Sequence, residues 1–261
     1  MTLKNKVALI TGSTSGIGLG IAEVLASEGY HIVLNGFGDA AEIEKIRSEL
    51  ETKFGVKAIF IGADVANYDS ISAMVTEAET KLGSVDILVN NAGVQFVAPI
   101  EEFPLEQWQK IININLTGVF YGTKAALTGM KNRGYGRIIN IASAHGLVAS
   151  AGKSAYVAAK HGVVGLTKVT ALENARQNIT ANAICPGWVL TPLIQKQIDD
   201  IAAKEGVTIE KASEKLLLEK QPNARFATAA EIGGLVLYLC SDVARNITGT
   251  TLSIDGAWTA Q

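Results

Sequence analysis

Short apolar runs alternate along this chain with longer stretches whose apolar positions recur every three or four residues. "KVALIT" (6–11) is apolar and ends at a glycine; "GIGLGIAEVLASEGY" (16–30) then changes to helical spacing and stops near Gly29. "HIVLNG" (31–36) predicts a second strand, and "AAEIEKIRSELETKFG" (40–55), apolar at 43, 46, 50 and 54, an amphipathic helix. The rhythm continues with a strand over 56–65, a helix over about 68–82 and a strand over 85–93. Strands follow at 136–143 and 179–187, separated by long helical patterns over about 105–132 and 155–177, and "TTLSIDG" (250–256) closes the series as a seventh strand. Strands that are apolar on both faces and alternate with helices predict a parallel sheet covered on each side. The expected fold is therefore α/β: a doubly wound Rossmann-type domain with a seven-stranded parallel sheet. No linker or shift of composition divides residues 1–261, so a single domain is expected. One charged helical segment, 192–226, is too long for an ordinary connection between late strands. It falls over the carboxyl ends of the sheet, either as a mobile lid or as a solvated pair of surface helices.

Composition narrows the function classes. Of 261 residues 48% are hydrophobic and 18% charged, with a formal net charge of -2, which offers no clustered basic face for nucleic acid. No apolar run approaches the roughly 18 residues of a membrane span. The opening "MTLKNKVALITG" lacks the apolar core of a secretion signal, so a cytoplasmic location is expected. Cys185 and Cys240, both in apolar runs, predict buried thiols rather than a disulfide framework. No His, Cys and Asp cluster has metal-ligand spacing, so no metal is expected.

"TGSTSGIG" (11–18) places Gly12, Gly16 and Gly18 between the first strand and the first helix. The spacing differs from G-x-G-x-x-G, but the mechanics carry over. Glycines allow the tight turn and the close approach of a pyrophosphate to the free N–H groups of the helix. At the end of the second strand, where the adenosine ribose should lie, "NGFGDA" holds Asn35, Gly36 and Phe37, with no Arg or Lys before Lys45. A 2′-phosphate would need a cation there, so the cofactor expected is NAD.

Together "TGSTSGIG", "NNAG" (90–93), Asn115, Ser143, "YVAAK" (156–160) and "PG" (186–187) resemble, in order and spacing, the short-chain dehydrogenase/reductase family. Within it, the stretches 143–162, 184–198 and 247–258 are similar to the branch that oxidises (R)-3-hydroxybutyrate to acetoacetate with NAD, which implies a small carboxylate substrate and a homotetramer. The resemblance makes Gly12, Ser15, Ile17 and Gly18 the phosphate turn. It puts Phe37 near the adenosine, Asp64 and Val65 beside the adenine, Asn91, Ala92 and Gly93 along the ribose, and Gly187 and Val189 at the nicotinamide amide. Phe96, Leu190 and Ala257 depart from its pattern.

Two lysines flank one tyrosine in "KSAYVAAK" (153–160). Tyr156 and Lys160 are i and i+4 and share a helix face. A phenol with a pKa near 10 is a poor base at neutral pH, and lowering it to about 7 takes about 4 kcal/mol. A cation about 4 Å away at an effective dielectric near 20 supplies about that much. Lys160, helped by the charge of the oxidised nicotinamide, is assigned this task, and in the family pattern it also binds the nicotinamide ribose, so Tyr156 and Lys160 count among the cofactor contacts. Asn115 would hold a relay water, and Ser143 would polarise the substrate oxygen. Lys153 must do something else. "GKS" (152–154) is not a phosphate loop, because residue 147 is leucine and no strand directly precedes it. By the resemblance, Lys153 anchors a carboxylate with Gln95, His145 and Gln197, while Trp188 packs against its carbon chain. The alternatives are a reductase of another carbonyl, such as a 3-ketoacyl thioester, and a nucleotide-binding regulator without chemistry.

Overall fold

The protein, described here over residues 5–260 by a computed structural model, is built on seven parallel strands. These are β1 (Val7–Ile10), β2 (His31–Leu34), β3 (Ala58–Phe60), β4 (Ile87–Asn90), β5 (Gly136–Ile141), β6 (Ile179–Pro186) and β7 (Thr251–Ile254). Their order in the sheet is β3-β2-β1-β4-β5-β6-β7. The chain starts in the middle, winds outward through β2 and β3, then returns to lay β4 against the other edge of β1. That reversal opens a crevice above the carboxyl ends of β1 and β4, the place where open α/β sheets bind ligands.

Alternation along the strands divides the core. On β1, Ala8 and Ile10 join one apolar cluster while Val7 and Leu9 join another on the opposite face. The first face is covered by α1 (Gly16–Ser27), α2 (Ala40–Phe54) and α9 (Ala229–Cys240), through Ile21, Leu25, Leu50, Ile232 and Val236. The second is covered by α3 (Tyr68–Leu82), α5 (Gly118–Arg133) and α6 (Ser154–Asn174), through Ile71, Met74, Ala126, Met130 and Ala171. All seven strands and the helices on both faces agree with the sequence expectation.

Three elements differ from it. The helix expected over about 105–132 is interrupted: α4 (Leu105–Ile112) passes through a π-helical turn, Asn113–Thr117, before α5 begins. Helix α9 was not anticipated; its Thr228 and Glu231 form a capping box. The third strand is only three residues long, and Ala63, Asp64 and Val65 beyond it face the crevice. The charged segment 192–226 folds as two helices, α7 (Pro192–Glu205) and α8 (Ile209–Leu218), around a small core of their own: Ile198, Ala202, Ala212 and Leu216. Residues 1–4 and Gln261 of the expected single domain lie outside the described residues.

Candidate active site

A cleft of about 530 Å³ opens at the crevice, and the glycine turn forms its floor. Gly12 and Gly16 adopt φ of +63° and +56°, the left-handed region where other residues are strained. Gly18 does not line the cleft; it is buried beneath it, and a Cβ there would strike the Gly12 carbonyl. Thr11 Oγ1 accepts hydrogen bonds from Asn91 N (3.0 Å) and Ala92 N (3.1 Å), tying the turn to the end of β4. Helices α2, α3, α7, α8 and α9 are each capped at the N-terminus by a side chain, but Ser15 makes no such bond for α1. There is also no acid in the first turn of α1. Its leading N–H groups therefore stay open to an anion, so the turn fits the pyrophosphate of a dinucleotide.

Ser15, Ile17, Phe37, Asp64, Val65, Asn91, Ala92, Gly93 and Gly187 line this cleft with Gly12. Val189 does not: it is buried and bridges to Ala227. Phe37 is largely exposed at the end of β2, and beside it a second cavity of about 510 Å³ carries Glu44 and Asp64 but no cation.

Ser143, Tyr156 and Lys160 converge on the other end of the cleft. Ser143 follows β5, and Tyr156 and Lys160 rise from α6. Lys160 Nζ donates to the Ile141 carbonyl at 2.7 Å and stands 5.6 Å from the centre of the Tyr156 ring. The expected electrostatic lowering of the phenol is not found here. Burial pushes the Tyr156 pKa up, and a hydrogen bond with Ser143 offsets this only in part. Burial also brings Lys160 down to about 8. Desolvation disfavours the charged form of both groups. Tyr156 is thus a neutral phenol at neutral pH. Asn115 is fully buried in the π turn, where its Oδ1 accepts from Val94 N and its Nδ2 donates to Val94 O, both at 2.8 Å. Its side chain fixes the loop after β4 and does not line the cleft.

Of the four expected carboxylate contacts, the fold brings His145 and Lys153 near each other, sets Gln95 in the cleft and leaves Gln197 apart. His145 is buried; its Nδ1 lies 3.4 Å from Ser143 Oγ and its Nε2 3.0 Å from Ser150 Oγ. Burial, with Lys153 and Lys220 nearby, holds its pKa at about 4, so the ring is neutral at pH 7. Lys153, at the N-terminus of α6, sends Nζ to 5.4 Å from the centre of a Trp188 ring. It forms no ion pair among the described residues, and burial lowers its pKa. Gln95 lines the cleft. Gln197 is exposed on α7 and bonds to none of this group. The sequence reading missed Trp258, a buried ring 5.1 Å from His145 and 5.9 Å from Trp188 between centres. No spacing marks it; it sits near the chain end in a 3₁₀ turn. Phe96 packs edge-on against Phe103 at 5.6 Å.

Comparison with known proteins bears on the same regions. The family model described as short chain dehydrogenase matches residues 6–202. D-beta-hydroxybutyrate dehydrogenase of Cupriavidus necator is 55% identical over 260 residues, covering 99% of this chain and all of that protein. The Rhizobium meliloti protein of the same name is 52% identical over 256 residues, 98% of this chain and 99% of its own length. Among solved structures, a variant of actinorhodin polyketide ketoreductase with NADPH superimposes with a TM-score of 0.91 at 38% identity, over 98% of each chain.

Proposed function

This chain belongs to the short-chain dehydrogenase family, and from that premise we infer that it interconverts (R)-3-hydroxybutyrate and acetoacetate. The observation that carries the substrate class is Lys153, a partly buried cation that forms no ion pair among the described residues, feels the charge of Glu219 only at longer range, and stands beside Trp188 and His145. A buried charge is costly unless paired, and a substrate carboxylate would pair it. Gln95 and neutral His145 add polar contacts, Trp188 and Trp258 wall the short carbon chain, and Gln197 would join when α7 closes. Gly12, Ser15, Gly16 and Ile17 would hold a nicotinamide cofactor along the glycine turn, and its ring would supply the hydride acceptor or donor. NAD is favoured over NADP because the lining around Phe37 holds Glu44 and Asp64 and no cation.

Ser143 would donate to the ketone oxygen as charge develops there, in a site that excludes water. Tyr156, neutral because burial raises its pKa, is ready to protonate that oxygen in the reducing direction. In oxidation it must release its proton. Lys160, with the cationic ring of the oxidised cofactor, would lower that cost. The side chain of Asn115 is committed to Val94, so the main chain of the π turn would hold the relay water.

We further propose one domain acting as a cytoplasmic homotetramer. Support for assembly comes from Phe120 on α5 and Val169 and Leu172 on α6, all exposed; a monomer in sedimentation velocity would overturn it. The reaction is tested by following NADH absorbance with acetoacetate, an acetoacetyl thioester and a plain ketone. Acetoacetate should turn over fastest. Preference for the thioester would make the protein a reductase of another carbonyl, and tight NADH binding with no turnover of any would make it a regulator.

A further inference from the structure

The return from the lid to the sheet passes through one buried amide. Gln221, three residues beyond α8, is 1% exposed. Its Oε1 accepts from Trp188 N at 2.8 Å, while its Nε2 donates to Asn223 Oδ1 at 3.3 Å and to the Arg225 carbonyl. Its main chain is tied as well, N to Leu217 O at 2.7 Å and O to Ala224 N at 2.9 Å. Trp188 is held from its other side by Ala227, whose N–H donates to the Trp188 carbonyl at 2.9 Å. Gly187 and Gly256 leave room for this side chain: a Cβ on the first would strike Oε1, and one on the second would lie 2.6 Å from Cγ. The end of the lid, the loop after β6 and the turn after β7 thus meet on a single side chain.

We propose that Gln221 is a positioning residue, whose amide fixes the Trp188 wall of the substrate site to the foot of the lid. The inference rests on the substrate reading above. Only a side chain with an acceptor at one end and a donor at the other satisfies Trp188 N–H and the Arg225 carbonyl together. Leucine fills the space but leaves both unpaired, and buried unpaired groups are expensive enough to move the loop. Gly187 keeps its own bond, N to Ile254 O at 3.1 Å, so the cofactor side of the loop is less affected than Trp188.

Gln221→Leu should therefore raise the KM for acetoacetate about tenfold, while kcat and the NADH dissociation constant each change less than about threefold. An unchanged KM, or equal loss of acetoacetate and NADH binding, would overturn the proposal. Should Gln221→Leu fail to fold, Gln221→Glu decides. Protonated, the acid still donates to Arg225; ionised, it faces two acceptors with no proton to offer. Its KM for acetoacetate, divided by that of wild type at the same pH, should be near one at about pH 6 and about tenfold higher at about pH 9. A flat ratio overturns the proposal. The charged groups around it are Glu219 with Lys220, Arg225 with Glu231, Lys153 and Asp255, and the wild-type division removes their titration. A wild-type protein inert towards acetoacetate would sink the proposed function instead. In that case hydrogen exchange decides the role of Gln221: faster exchange of amides 187–190 than of 179–184 in the folded variant supports it, and no acceleration overturns it.

Discussion

Lys153 carries the substrate assignment, and its chemistry sets the size of the test. Removing one charge-assisted hydrogen bond costs about 1.5 to 3 kcal/mol, so Lys153→Ala should raise the KM for acetoacetate about 10- to 100-fold. NADH binding, measured by fluorescence titration, should change little, because Lys153 does not line the cofactor cleft. A loss confined to NADH would refute the anchor. Ala257 is a second informative position. It departs from the family pattern and holds φ at +72°, immediately before Trp258. An L-residue there costs about 1 to 2 kcal/mol, and glycine gives back part of that through a freer unfolded chain. Ala257→Gly should stabilise the protein by about 0.5 to 1 kcal/mol in urea unfolding. The i, i+4 relation of Tyr156 and Lys160 is legible in the sequence, since helix geometry alone puts them on one face. The sign of the Tyr156 shift is not, because it depends on how much water the neighbours remove.

At the level of elements, α1 carries the phosphate turn and α9 braces it. The two helices approach closely: a Cβ on Gly20 would strike Ala229, and one on Gly233 would come within 2.8 Å of Val24. The capping box at Thr228 sets where α9 starts: Thr228 Oγ1 accepts from Glu231 N at 3.1 Å, and Glu231 accepts from Thr228 N at 2.8 Å. Thr228→Ala should lower stability by about 1 kcal/mol in thermal or urea unfolding, with the Michaelis constants kept. This helix escaped the sequence reading because apolar residues nearly fill it and blur its period, although the T-x-x-E signature was there to be seen. The π turn in the middle of the 105–132 pattern escaped it for a different reason. Inserting one residue per turn leaves composition unchanged, and the benefit, the seating of Asn115 on Val94, is tertiary.

For the molecule as a whole, one buried ring contributes a distinct part of the acid limb of stability. His145 titrates at about 4 when folded and at 6.5 as a free side chain. Above 6.5 both states are neutral and the group contributes no slope. Below it the unfolded chain takes up a proton that the folded site refuses, so stability falls until the folded pKa is passed. That loss is about 3 kcal/mol. His145→Gln should remove it: the pH dependence of unfolding free energy between 6.5 and 4 should be shallower than wild type by that amount. Identical slopes would show that the ring is not shielded. The sequence by itself determined the alternating architecture and the glycine turn, through local periodicity and spacing, and its resemblance to the family singled out Ser143, Tyr156 and Lys160. Tertiary structure alone decided that Trp258 and Gln221 stand beside Trp188, and that Gln197 stays out on α7. It also decided that burial raises the Tyr156 pKa and keeps His145 a neutral ring. Proximity across distant segments and the exclusion of water arise only when the sheet, lid and chain end close on one another, and no local pattern records them.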